Sequence, residues 1–78
     1  MRRVFELHGR RVECETRQVD ANCWELRVTE ADGTVRIQYF SDPRAMDQEA
    51  TSTQRGWVTD GWQPPPFQNW IPSTDLAK

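Results

Sequence analysis

Apolar and polar residues alternate through most of the first forty positions, which predicts four short strands. The clearest case is CWELRVT, residues 23–29, in which Trp24, Leu26 and Val28 alternate with polar neighbours. A period of two is typical of a strand with one buried and one solvated face. The same period recurs in RVFEL, RRVECETRQV and TVRIQYF. We therefore predict an antiparallel meander whose consecutive strands are joined by short turns.

Three turns set the predicted registers. Residues 9–10 fit a two-residue type II′ turn, which needs glycine at its first central position and would pair Leu7 with Val12. Residues 20–22 fit a three-residue loop ending in a left-handed asparagine, and residues 32–33 fit a two-residue Asp-Gly hairpin. All three turns agree on one inner apolar face, made of Phe5, Leu7, Val12, Cys14, Trp24, Leu26, Val28, Val35, Ile37 and Tyr39.

The opposite face is predicted to be charged. Its residues are Glu6, Arg11, Glu13, Glu15, Arg17, Glu25, Arg27, Arg36 and Gln38, with Val4 and Phe40 as exposed apolar members. The second loop places Glu15 opposite Arg27 and Arg17 opposite Glu25, and such pairs contribute about 0.2–1 kcal/mol each. Antiparallel sheets commonly leave one side in water, so we interpret this face as solvated, with a docking surface as the alternative.

A helix is predicted to follow the sheet. Asp42 can act as its N-cap, and Pro43 suits the first helical position because it lacks an N–H group. We expect the helix to run to about Arg55 and to stop at Gly56. Its apolar stripe is sparse, comprising Ala45, Met46, Ala50 and Thr53. The predicted fold class is therefore α+β, a four-stranded meander followed by one helix packed on one face and an aromatic, proline-rich C-terminal arm.

The C-terminal arm mixes aromatic residues with turn formers. Its first part, WVTDGW, is a candidate for a short strand, and the triple proline 64–66 predicts a polyproline II segment. We favour an arm that packs Phe67 and Trp70 on the domain's own core, and the alternative is an exposed ligand for a proline-recognising partner. The predicted domain covers residues 1–72, and residues 73–78 are expected to form a disordered tail.

The composition indicates a small hydrophobic core. Apolar residues make up 36% of the 78 residues, and the mean hydropathy is −0.87. A core this small stabilises the fold by only about 3–5 kcal/mol, which makes oligomerisation plausible. The net charge of −2 supplies no global field to attract nucleic acid or an anionic membrane. Because no signal peptide or membrane span is apparent, we expect a soluble cytoplasmic protein, of the small stand-alone kind common in bacteria.

The sequence contains no recognisable catalytic, cofactor or metal motif. Cys14 and Cys23 are predicted on opposite faces of the sheet, so a disulfide between them is not expected. His8 lies beside the first turn, and no cysteine or histidine cluster has the spacing of a zinc site. The glycines are scattered and form no phosphate-binding loop. We expect no enzyme activity, no cofactor and no metal.

Two functions remain. The first is a protein–protein interaction module that acts as a homodimer. The second is single-stranded nucleic-acid binding by the sheet and the N-terminal arginines, in which aromatic rings would stack on bases. The order of four strands and one helix resembles that of Whirly-type and related transcriptional-coactivator domains, which act as dimers. The predicted interaction surface comprises Arg2, Arg3, Arg10, Arg11, Phe40, Trp57, Trp62, Phe67 and Trp70.

Overall fold

A computed structural model of the chain describes residues 1–64. Its elements are β1 (Arg2–Leu7), β2 (Arg10–Asp20), β3 (Cys23–Thr29), β4 (Val35–Phe40) and α1 (Pro43–Thr59). The strands form one antiparallel sheet in the order β1-β2-β3-β4, and α1 packs on one face of it. The predicted fold class is confirmed for this part of the chain. The proline-rich arm beyond residue 64 and the predicted tail lie outside the described residues.

The core lies between α1 and the sheet. Its buried members are Phe5, Val12, Cys14, Leu26 and Val28 from the strands and Met46, Ala50 and Trp57 from the helix. Trp24, Ala31, Phe40 and Trp62 are half-buried against it. The inner face predicted for β1, β2 and β3 is therefore confirmed.

The first turn falls one residue earlier than predicted. His8 and Gly9 occupy its two central positions with φ of 52° and 77°, the left-handed conformations that a type I′ turn requires. The predicted type II′ turn at residues 9–10 was wrong, and Leu7 pairs with Arg10 instead of Val12. Because the pairing moves by two residues, every side chain keeps its predicted face.

The second turn is tighter than predicted. Asp20 pairs with Cys23, which leaves only residues 21–22 in the turn, and Asn22 is not left-handed. An irregularity between Gln18 and Asp20 absorbs the extra residue. The predicted pairs therefore form as expected, namely Cys14 with Val28, Thr16 with Leu26, Glu15 with Arg27 and Arg17 with Glu25.

The third turn has one residue more than predicted. Residues 31–33 form it, and the Glu30 N–H donates to the Thr34 carbonyl at 2.7 Å to close it. Gly33 takes the left-handed position with φ of 91°, and the Asp32 carboxylate accepts the Thr34 N–H at 2.9 Å. That hydrogen bond holds the pKa of Asp32 below its ordinary value.

This extra residue exchanges the two faces of β4. A one-residue slip moves every side chain of a strand to the opposite face. Val35, Ile37 and Tyr39 were predicted to be inward, and they lie instead on the face away from α1, opposite Thr29, Arg27 and Glu25. Three further residues were predicted on the outer face and lie on the helix face: Arg36, Gln38 and Phe40. Val4 does lie on the outer face, but it is buried and not exposed as predicted.

The helix begins as predicted and ends later. The Asp42 carboxylate accepts the Arg44 N–H at 3.0 Å, and Pro43 is the first helical residue. The helix continues through Gly56 to Thr59, because this extension places Trp57 on the core. The Trp57 ring lies 5.5 Å from the Phe5 ring, centroid to centroid. Burying a tryptophan outweighs the cost of a helical glycine, which is about 1 kcal/mol.

The chain reverses after the helix and returns to β1. Residues 57–59 are helical, so the predicted short strand there was wrong. Gly61, with φ of 99°, allows the reversal, and Gln63 then exchanges two backbone hydrogen bonds with Glu6, at 2.7 and 3.1 Å. The outer edge of β1 is thus paired at Glu6.

Candidate functional site

The face of the sheet away from α1, here called the open face, carries an apolar row on β4. This β4 row consists of Val35, Ile37 and Tyr39, whose exposed fractions are 50%, 43% and 64%. Alternate residues of a strand lie about 6.8 Å apart on one face, so the three side chains form one continuous strip. Contiguous exposed apolar surface is typical of interaction sites, whereas isolated exposed residues such as Val58 are ordinary.

The same three residues carry the free backbone groups of the sheet edge. The Glu30–Thr34 hydrogen bond marks a hydrogen-bonded pair, and such pairs alternate along an antiparallel ladder. With the observed register, Arg36, Gln38 and Phe40 therefore bond to β3. The N–H and C=O groups of the β4 row point away from β3, and no residue in the described part of the chain pairs with them.

The hydrogen bonds at the opposite edge of the sheet, between β1 and β2, follow the same alternation. The Thr16 N–H donates to the Met1 carbonyl at 2.8 Å, which fixes the parity of the β1–β2 ladder. That parity directs the backbone groups of Glu6 outward, where Gln63 pairs with them. The two edges of the sheet therefore differ, because only the β1 edge has a partner within residues 1–64. An unpaired edge is a template for a further strand.

A charged cluster borders the β4 row. Glu25 is 4% exposed and lies opposite Tyr39, and its carboxylate is 3.4 Å from Arg17 Nη2 and 3.5 Å from Arg27 Nη2. The Arg27 Nε atom is buried without a hydrogen-bond partner. At the far side of the open face, Arg2 Nε donates to Glu13 Oε1 at 2.7 Å, and this bond raises the pKa of Arg2. Opposite charges are therefore interleaved across the open face.

The four N-terminal arginines do not form one patch. The β1–β2 register places Arg2 and Arg11 on the open face and Arg3 and Arg10 on the helix face. All four are exposed, but the sheet separates them into two pairs. The four do not cluster at one end of the hairpin either, because Arg2 and Arg3 lie opposite Glu15 and Cys14, whereas Arg10 and Arg11 lie beside the turn.

The predicted aromatic members of the surface belong mostly to the core. Phe40 and Trp62 are half-buried against it, and Trp57 is 8% exposed. None of these three rings lies on the open face. Phe67 and Trp70 lie outside the described residues.

The exposure of the β4 row was not predicted, because its residues were assigned to the core. A strand with Val, Ile and Tyr at alternate positions normally buries that side. The single signal for the true arrangement was Ala31, whose inclusion in the turn changes the face of β4. Asp-Gly fits both turn lengths, so the sequence did not decide between them.

The two cysteines are free and lie on opposite faces, as predicted. Cys14 is fully buried, and burial raises the pKa of its thiol, although Gln54 Nε2 donates to its sulfur at 3.7 Å. Within residues 1–64, no three His, Cys, Asp or Glu side chains gather as a metal site requires. In the same part of the chain, no helix is long and apolar enough to cross a membrane.

Comparison of the chain with protein-family models, with curated proteins and with solved structures finds no match.

Proposed function

We propose that this chain is a non-catalytic protein–protein interaction module that acts as a homodimer through the β4 row. One observation carries the proposal. The residues that expose apolar side chains on β4 are the residues whose backbone groups are free at the sheet edge. A second chain that covers this edge would gain apolar burial and backbone hydrogen bonds at the same positions.

The energetics favour such a partner. Fully burying a Val or Ile side chain contributes about 1.5–3 kcal/mol relative to leaving it in water. The fold leaves Val35 and Ile37 about half-exposed, while the core within residues 1–64 holds eight buried residues. A small interface of this kind is typical of weak or transient association. We therefore expect dimers to form at micromolar concentrations or above.

Single-stranded nucleic-acid binding has less support. Such binding needs basic groups and exposed rings on one surface. Here the arginines divide between two faces, and Arg2 is paired with Glu13. Tyr39 is the exposed ring of the open face within the described residues, and it lies opposite the carboxylate of Glu25.

Sedimentation equilibrium across a wide concentration range tests the proposal. The wild-type protein should rise from 9.2 kDa towards twice that mass. Ile37→Lys should remain monomeric because it places a charge in the centre of the β4 row. Val58→Lys is the matched control, since Val58 is an apolar residue on α1 that is even more exposed than Ile37, and it should dimerise as the wild type does.

Two results would oppose the proposal. A wild-type mass that stays at 9.2 kDa up to several hundred micromolar would show that no dimer forms. Equal loss of dimer in Ile37→Lys and Val58→Lys would show that the β4 row is not the interface. Circular dichroism of both variants verifies that the fold is retained.

A further inference from the structure

We infer that β4 pairs antiparallel with β4 of a second copy, in the register that sets Ile37 opposite its own copy. The two four-stranded sheets then join into one continuous sheet of eight strands. This inference rests on the proposed homodimer and specifies its geometry. The hydrogen-bond parity of the edge, its apolar side chains and the charges that each register would bring together all favour this register.

Backbone geometry restricts the possible registers. A two-fold axis perpendicular to the sheet makes the two β4 edges antiparallel and self-complementary. Residues directly opposite each other then share a face, so each register is defined by the residue that lies on the axis. The outward-pointing groups belong to Val35, Ile37 and Tyr39, so hydrogen-bonded pairs form among these residues alone.

The register centred on Ile37 uses all of these groups. It sets Ile37 opposite Ile37 and Val35 opposite Tyr39 on both sides of the axis, and each such pair exchanges two hydrogen bonds. A register centred on Gln38 leaves Val35 without a partner in β4. A register centred on Arg36 leaves Tyr39 without one and sets two like charges directly opposite each other, which is destabilising.

Side-chain chemistry agrees with the same register. On the open face, every cross-strand pair of the β4 row is apolar, and such pairs stabilise the pairing of two strands. On the helix face, Arg36 would lie opposite Gln38, so no like charges meet. Arg36 also keeps its ion pair with Glu30 in its own chain, with Nη2 at 3.0 Å from Oε2.

Amide hydrogen exchange tests the edge pairing. At low protein concentration, the N–H groups of Val35, Ile37 and Tyr39 should exchange quickly because they point to solvent. At concentrations where the dimer forms, their exchange should slow at least tenfold. The N–H groups of Arg36 and Gln38 bond to β3 and should be protected at both concentrations.

The outcomes separate this inference from the proposed function. If sedimentation shows only monomer, both fail. If sedimentation shows a dimer while the three amides exchange as quickly as in the monomer, the homodimer stands and edge pairing is overturned.

Cysteine cross-linking tests the register. In a Cys23→Ser background, Ile37→Cys should oxidise to a disulfide-linked dimer, because a hydrogen-bonded pair has Cα atoms about 5.5 Å apart. Gln38→Cys is the matched control on the neighbouring position. In the inferred register the two Gln38 residues are offset by two strand positions. Their Cα atoms are therefore farther apart than the limit of about 7 Å for a disulfide.

The cross-linking result is decisive in either direction. Rapid linkage of Ile37→Cys with little linkage of Gln38→Cys supports the register. Linkage of Gln38→Cys alone would move the axis to Gln38 and overturn it. Equal linkage of both variants, or of neither, would show that β4 does not pair in a fixed antiparallel register.

Discussion

Cys14 and Cys23 show how neighbouring strands give the same residue type different chemistry. Cys14 faces the core from β2, is fully buried and has its pKa raised by burial. Cys23 begins β3 on the open face and is half-buried. The alternation of the two strands predicted these faces, and the structure confirms them. Burial and a raised pKa both reduce the fraction of reactive thiolate at Cys14.

We expect an alkylating reagent to modify Cys23 first. At pH 8, iodoacetamide should label Cys23 in the native protein, while Cys14 should react only after denaturation. Mass spectrometry of digested samples measures both rates, and Cys23→Ser serves as the control that should remain unlabelled when folded. Equal labelling of the two thiols in the native protein would contradict the buried position of Cys14.

At the scale of elements, the predictable features are those that several residues specify together. The faces of β1, β2 and β3 follow from three strands whose alternation agrees, and a pairing error of two residues at the first turn changed none of them. The face of β4 depends on whether Ala31 belongs to the strand or to the turn. The end of α1 depends likewise on Gly56, which suits both a helix interior and a helix stop. A single ambiguous residue therefore explains each wrong prediction: Ala31 for the face of β4 and Gly56 for the end of α1.

Alanine substitutions at Leu26 and Ile37 test which face of β4 is buried. Leu26→Ala should lower the free energy of unfolding by about 2–5 kcal/mol, because Leu26 is 1% exposed in the core. Ile37→Ala should lower it by less than about 1 kcal/mol, because its side chain lies on the open face. Denaturant unfolding well below micromolar concentration, where the monomer dominates, measures both. A cost for Ile37→Ala as large as that for Leu26→Ala would place Ile37 in the core.

Gly56 offers a test of the length of α1. Its φ is not positive, and an added Cβ atom would meet no other atom within 4 Å. Gly56→Ala should therefore stabilise the protein by about 0.4–1 kcal/mol, which thermal or denaturant unfolding can measure. Gly61→Ala is the control that should destabilise it, because Gly61 has φ of 99°. If Gly56→Ala destabilised the protein instead, the helix would end at Gly56.

At the scale of the whole molecule, one side of the sheet builds the core and the other combines balanced charges with an apolar edge. The thin core and low hydropathy already favoured oligomerisation from composition alone. The position of the proposed interface could not be predicted from sequence, since it follows from the face of β4 and from the parity of its hydrogen bonds. The β1 edge is paired at Glu6 by Gln63, so within residues 1–64 β4 is the edge that a second copy can extend.

We propose that a second copy binds at the β4 row. Amide chemical shifts of isotope-labelled protein, followed from low to high concentration, test it residue by residue. We predict concentration-dependent shifts at Val35, Ile37 and Tyr39, with smaller changes at Glu25 and Arg27 beside them. Shifts that do not change with concentration, or changes centred on α1 or on the turn at residues 8–9, would contradict it.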